Sequence, residues 1–283
     1  MSFIKKYLKK ENLLFLIIGL AIALIAIVFS YNYAEKYVEE RLNHYEGLSN
    51  TGGFPTAKYD GNKYFQDEFN FRAYSDGTYE SKRGIDVSEH NGEIDWAAVK
   101  ESGVEFVIIR LGYRGAESGA IFDDVRFEEY AKGAKKHGIE IGVYFFSQAI
   151  NTDEAVEEAA YVCKKVRNKK ITMPIAFDME EVPGIEGRIM GLSMEEKTEI
   201  ADAFCQVVEN HGYDSLIYGN PTWIYGGLNL SLIPNRKLWL AHYMPATGFP
   251  YEYAMWQYSD EGVIGGICTV ADLNIFYVKK EVK

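Results

Sequence analysis

From about Lys82 the sequence alternates short apolar runs with helix-patterned stretches, and this limits the fold to very few architectures. "RGIDVS", "VEFVIIRLGY", "IEIGVYFFS", "MPIAFDME" and "DSLIYGN" read as strands. Between them lie "IDWAAVKESG", "DDVRFEEYAKGAKKHG", "NTDEAVEEAAYVCKKV" and "SMEEKTEIADAFCQVVENHG", which read as helices. Gly103 and Gly138 close two of these helices, an Asn/Thr pair opens the third, and Ser193 with Glu196 forms a capping box on the fourth. Further on, "KLWLAHY", "YAMWQYS" and "TVADLNIF" read as strands with little helix between them. The strands are continuous apolar runs, the mark of a parallel sheet buried on both faces. Such repeats build an open doubly wound sheet or a closed barrel. An open nucleotide-binding sheet would carry a glycine-rich phosphate loop, and neither G-x-G-x-x-G nor G-x-x-x-x-G-K-[ST] occurs. The pattern favours the barrel.

Reactive groups of a barrel collect at the C-terminal ends of its strands. Those ends carry Asp86, Arg110, Tyr144, Asp178 with Glu180, Tyr218, Tyr243, Gln257 and Asp272. Taken singly, Asp86 reads as a helix N-cap and Asp272 as a turn residue; Arg110 reads as an ion pair steadying Asp86 or Asp178. The stretch "PIAFDMEEVPG" is more telling, because an apolar strand runs straight into acids. Asp178 and Glu180 are one residue apart, so in a strand they face the same side with backbones about 6.6 Å apart, while Met179 turns into packing. Two carboxylates facing one cavity raise each other's proton affinity, leaving one available as a general acid.

One carboxylic acid, one neighbouring carboxylate and many aromatics suit glycoside hydrolysis, where an acid protonates the leaving oxygen and negative charge steadies an oxocarbenium-like carbon. The chain has 21 tyrosines, and aromatics make up 14% of it. A metal mechanism is disfavoured, since His90 and His242 are isolated and no H-x-H or H-x-x-x-H occurs. No cofactor is implied. A G-x-S-x-G nucleophile motif is missing as well.

The ordered set "GIDVSEHNGEIDW", "FVIIRLGYRG", "GVYFFSQA", "PIAFDME", "LIYGN", "WLAHY", "MWQYS" and "ADLN" resembles the glycoside hydrolase family 25 lysozymes, the N,O-diacetylmuramidases, from about Arg83 to Tyr277. That resemblance implies an α/β fold, an incomplete β/α barrel of five β/α units followed by lone strands. It implies cleavage of the β-1,4 bond between N-acetylmuramic acid and N-acetylglucosamine in peptidoglycan glycan strands, without a metal. By motif, Glu180 is the general acid and later base. Asp178 orients the substrate's own 2-acetamido group, with direct covalent attack by Asp178 as the rival. Asp86 and Asp272 match further active-site acids. Tyr144, Tyr218, Trp239, Tyr243, Trp256, Gln257 and Arg110 make up the expected substrate-binding set, Trp256 being equally readable as core. Cys268 and Ala271 depart from the usual pattern without removing a catalytic group. Two alternatives remain: a hydrolase of chitin-like polymers, and a wall-binding or scaffold protein with a lysozyme-like barrel.

The N-terminal part of the 283-residue chain has a different character. Lys5, Lys6, Lys9 and Lys10 make the first ten residues +4 within a formal total of −11, which leaves −15 on the rest and disfavours nucleic acid as a partner. Leu13 to Phe29 is uncharged and, as a helix, spans roughly 25 Å, close to a bilayer core of about 30 Å. The expectation is a basic cytoplasmic tip (1–12), a transmembrane helix (13–31) in the lipid bilayer, a stalk and aromatic-rich linker (32–80) whose residues 54–80 partly pack on the domain, and a barrel domain (81–283). The protein would then be single-pass, with its barrel outside the cell membrane. A cleaved signal peptide is the rival, although no small-x-small cleavage site follows Phe29. Ala34, Tyr37, Val38, Leu42 and Tyr45 form a short apolar stripe on the stalk, a surface for self-association. Cys163, Cys205 and Cys268 read as small buried hydrophobes.

Overall fold

The computed structural model describes residues 52–280. Eight strands close into a barrel. In order around it they are β3 (Tyr79–Val87), β4 (Phe106–Arg114), β6 (Glu140–Phe146), β7 (Ile175–Asp178), β8 (Ser215–Gly219), β9 (Leu238–Ala241), β10 (Met255–Gly262) and β11 (Ala271–Lys279). The first seven are parallel to their neighbours; β11 runs antiparallel to both β10 and β3 and closes the ring. The first five strands are each followed by a helix: α1 (Trp96–Glu101), α2 (Phe127–Lys136), α3 (Thr152–Val166), α4 (Met194–Asn210) and α5 (Pro221–Gly227). No α-helix follows β9 or β10. The barrel is therefore closed, and what is incomplete is its outer helical layer.

Local chemistry fixes these elements. Asp95 accepts from the amides of Ala97 and Ala98 at the start of α1, Asn151 accepts from Glu154 on α3, and Ser193 with Glu196 closes a reciprocal capping box on α4. Inward side chains Phe106, Ile108, Ala176, Leu216, Trp239 and Met255 fill the barrel below its mouth. Gly84 makes room for this filling: a Cβ there would lie 2.1 Å from the Phe106 ring. The short strand β5 (Ile121–Asp123) folds back on β4 as a hairpin, so α2 begins at Phe127 rather than at the preceding acidic pair.

The stretch read as a linker is built onto the barrel. Strands β1 (Tyr64–Gln66) and β2 (Arg72–Tyr74) form a hairpin whose turn is held by Asp67 Oδ1, which accepts from the amides of Phe69 and Phe71. Phe54, Phe71 and Tyr74 are buried, each such ring contributing roughly 1.5–3 kcal/mol. Tyr59 stacks on Tyr277 with centroids 3.7 Å apart, and Tyr64 bonds the Tyr277 hydroxyl at 2.7 Å. Cys163 and Cys205 are buried as expected, whereas Cys268 is exposed, because it lies in the loop between β10 and β11 and not on a strand. The transmembrane and stalk readings fall on residues outside the described ones. Among the described residues no helix is long and apolar enough to cross a membrane.

Candidate active site

The mouth at the C-terminal ends of the parallel strands gathers the four acids. Asp178 is the last residue of β7, and Glu180 follows two residues later with Met179 fully buried between them. Asp86 lies near the end of β3. Asp272 reaches the same rim from the opposite direction. It stands at the start of antiparallel β11, in register with Asp86. No arginine or lysine among the described residues forms an ion pair with any of the four. Burial, then the charge and hydrogen bond of Glu180, hold the Asp178 carboxyl well above its ordinary range. Burial raises Glu180 too, opposed by its bond to Asp178. Asp272 is pushed up to about 8 by burial and then by the charge of Asp86. Asp86 rises to about 6 through burial, restrained by donors from Gln257 and Asn274. A cluster of this kind retains protons at neutral pH.

A polar frame fixes these acids. Gln257 Nε2 donates to Asp86 Oδ2 at 2.9 Å, while Gln257 Oε1 accepts from the hydroxyls of Tyr218 (2.9 Å) and Tyr243 (2.8 Å). Asn274 Nδ2 donates to the same Asp86 oxygen at 2.7 Å, and Asn274 is itself held by Trp239 Nε1 at 2.8 Å. Asp86 Oδ2 thus receives two donors from neutral amides. Asp178 is the opposite case: its Oδ1 is buried and has no hydrogen-bond partner. That oxygen is a buried acceptor without a donor, in a carboxyl that interacts directly with Glu180. Gln148, fully buried on the turn after β6, donates to the Glu180 carbonyl at 2.7 Å and so holds the segment that carries the acid. Tyr144 shares the mouth, near enough to Asp86, Asp178 and Asp272 to feel their charges. Among the described residues no group of three or more His, Cys, Asp or Glu is placed to hold a metal ion.

Three expected substrate contacts are placed elsewhere. Arg110 does not pair with Asp86 or Asp178. Its Nε binds Asp124 Oδ2 at 2.8 Å and its Nη2 binds Glu89 Oε1 at 2.9 Å, so it ties β4 to the turn after β3. Trp239 is buried within the barrel, one layer below the mouth, where it edges against Tyr144 and Tyr218 and holds Asn274. Trp256 is fully buried on the outward face of β10, with its ring against Tyr64 and its indole N–H on the His242 carbonyl. Strand alternation decides this, since Gln257 faces the mouth and its neighbour must face away. Tyr243, by contrast, is half-exposed at the rim.

The family model of glycosyl hydrolases family 25 matches residues 85–267, about two thirds of the chain. The chain belongs to this family. Among its relatives are the autolytic lysozyme of Clostridium acetobutylicum, 29% identical over 195 residues (69% of this chain, 55% of that protein). Another is lysozyme M1 of Streptomyces globisporus, 30% identical over 207 residues (69% of this chain, 67% of that protein). The chain thus spans between about half and two thirds of their lengths. The solved structure of the modular autolysin LytC from Streptococcus pneumoniae, in complex with a synthetic peptidoglycan ligand, superposes with a TM-score of 0.63 at 25% identity, covering 79% of this chain and 52% of that one. Within the matched family 25 segment fall Asp86, Asp178, Glu180 and Gln257; Asp272 and Asn274 lie just beyond it and enter the site through the pairing of β11 with β3 and β10.

Proposed function

We propose that this family 25 protein is a peptidoglycan muramidase that hydrolyses the β-1,4 bond between N-acetylmuramic acid and N-acetylglucosamine with retention of configuration. Lysozymes among its relatives and a peptidoglycan-ligated neighbour support the substrate class. The observation that carries the mechanism is the buried, unpartnered Oδ1 of Asp178 beside Glu180. An acetamido N–H of the substrate supplies the missing donor. That bond favours the ionised form of Asp178 and leaves the pair's proton with Glu180. Glu180 then protonates the glycosidic oxygen as the acetamido carbonyl oxygen attacks the anomeric carbon. The C–O bond to the leaving sugar breaks and a cyclic oxazolinium forms, with Asp178 stabilising its N–H. Glu180, now a carboxylate, takes a proton from water, whose oxygen opens the ring at the anomeric carbon. Two inversions give net retention.

The anchor forms part of this reading. The basic tip and the apolar run from Leu13 to Phe29 would hold the enzyme at the membrane with its barrel toward the wall. Local wall remodelling suits such a tether better than diffusion does. Incubating the full chain with purified peptidoglycan and identifying the new reducing ends tests the reaction. Muramic acid ends support it; N-acetylglucosamine ends, or cleavage only of chitin-like polymers, refute it. Recovery of the barrel in culture medium, cut after residue 31, would refute the tether.

A further inference from the structure

Beside the acidic mouth runs a groove that the four acids do not line. Its larger part has a volume of about 610 Å³ and lies between the turn of the β1–β2 hairpin, the segment after β9 and the far end of β10. A second hollow of about 280 Å³ continues along the hairpin and shares Asn70, Arg72, Pro245 and Tyr258 with the first. The larger volume falls within the roughly 300–1,000 Å³ typical of small-molecule sites. Arg72 knits the walls together. Its Nη1 donates to the carbonyls of Met244 and Pro245, and its guanidinium packs over Trp256 and Tyr258 at 5.0 and 5.1 Å.

The groove is continuous with the mouth through Tyr243, which lines it and also donates to Gln257. Asp260, on the groove wall, lies close enough to add its charge to those acting on Asp272 and Tyr243. Phe65, Phe69 and Tyr243 expose 40–50% of their surface along it, and among the described residues the only other exposed Phe, Tyr or Trp is Phe122. Exposed rings interleaved with amides and carboxylates match a pyranose, which has an apolar C–H face and a hydroxyl edge. Asp260 and Glu261 would repel an anionic wall polymer and favour the uncharged N-acetylglucosamine units of a strand over its carboxylate-bearing N-acetylmuramic acid units, and the Nη1 of Arg72 is already engaged by backbone carbonyls. The hairpin wall precedes residue 85, outside the segment that the family model matches.

We propose that this groove is an accessory saccharide site, holding N-acetylhexosamine units of the same glycan strand beyond the two sugars that flank the scissile bond. It makes the chain prefer long strands over short ones. This rests on the muramidase reading, so two measurements are paired. In the first, kcat/KM of the full chain is compared on long peptide-free glycan strands and on the shortest oligosaccharide it cleaves. The Phe65→Ala/Phe69→Ala variant should lose about tenfold on the long strands, the size of one lost ring contact, and stay within about twofold on the short one. Val263→Glu, at a residue 89% exposed on the groove wall, should act in the same direction without a folding effect. Equal losses on both substrates, or none on either, overturn the proposal. In the second, binding of the same long strands to the full-length Glu180→Gln protein is measured with and without the two Phe changes. Weaker binding in the groove variant supports the site even if wild-type protein cleaves nothing, which would refute only the muramidase reading. Unchanged binding, or displacement from the groove by sugar-free stem peptide, overturns it.

Discussion

Two groups of buried and half-buried carboxylates share this barrel and are treated in opposite ways. On the flank, Asp124 is met by Arg110, Glu158 by Arg114 at 2.6 Å, and Glu154 by Arg188 at 2.7 Å. At the mouth, Asp86, Asp178, Glu180 and Asp272 have neutral amides and one another. The flank acids brace helices and turns. Those at the mouth are held in place without being neutralised, so they keep protons that a cation would have displaced. Removing a cation from a structural acid should cost stability; changing a mouth acid should cost activity.

The sharpest break in this comparison is Glu180→Gln, which should lower kcat by about 10²–10⁴-fold with the melting temperature unchanged or raised, read from reducing-end release and thermal unfolding side by side. Next comes Arg114→Ala on the flank. It strands Glu158, which burial has already pushed up to about 7, and should destabilise by roughly 3–5 kcal/mol in denaturant titration. Asn274→Leu probes the frame: it removes one of the two donors on Asp86 and unpairs the Trp239 indole, costing about 1–3 kcal/mol. Its activity profile should also move to higher pH as Asp86 holds its proton more tightly. The smallest effect concerns pH. The folded state binds a proton on Asp272 up to about pH 8 and the unfolded chain only to about 4, so stability falls as pH rises through that window. Asp272→Asn should flatten the decline of melting temperature with pH; an unchanged slope would remove Asp272 from the coupled set.

The alternation of strands and helices, the apolar character of the strands and the Asp178–Glu180 spacing were all legible in the sequence, because each depends only on local periodicity. Trp256 could have been placed outside the mouth by the same rule once Gln257 was placed inside it. Trp239 could not: depth along a barrel depends on strand stagger, which no single strand encodes. Asn274 went unnoticed for a related reason. Its bond to Asp86 arises from β11 running antiparallel, and nothing in "ADLN" states a direction. Arg110 found Asp124 because the β4–β5 hairpin brings them together, where the sequence pattern puts Asp124 at the start of a helix. Residues 54–80 read as a linker partly packed on the domain, because Asp, Asn and Gly mark turns while Tyr and Phe seek burial, and their aromatic rings do pack on β10 and β11.

The most direct measurement is a carbon-13 titration of the Asp and Glu carboxyls in the full chain, with Asp178, Asp272 and Glu180 assigned by single substitution. The cation-free mouth predicts that Asp272 titrates near pH 8 and that Asp178 titrates well above the ordinary carboxylate range. If all three ionise in the ordinary carboxylate range, near pH 4, the mouth stores no proton and the proposed division between the two groups of acids is wrong.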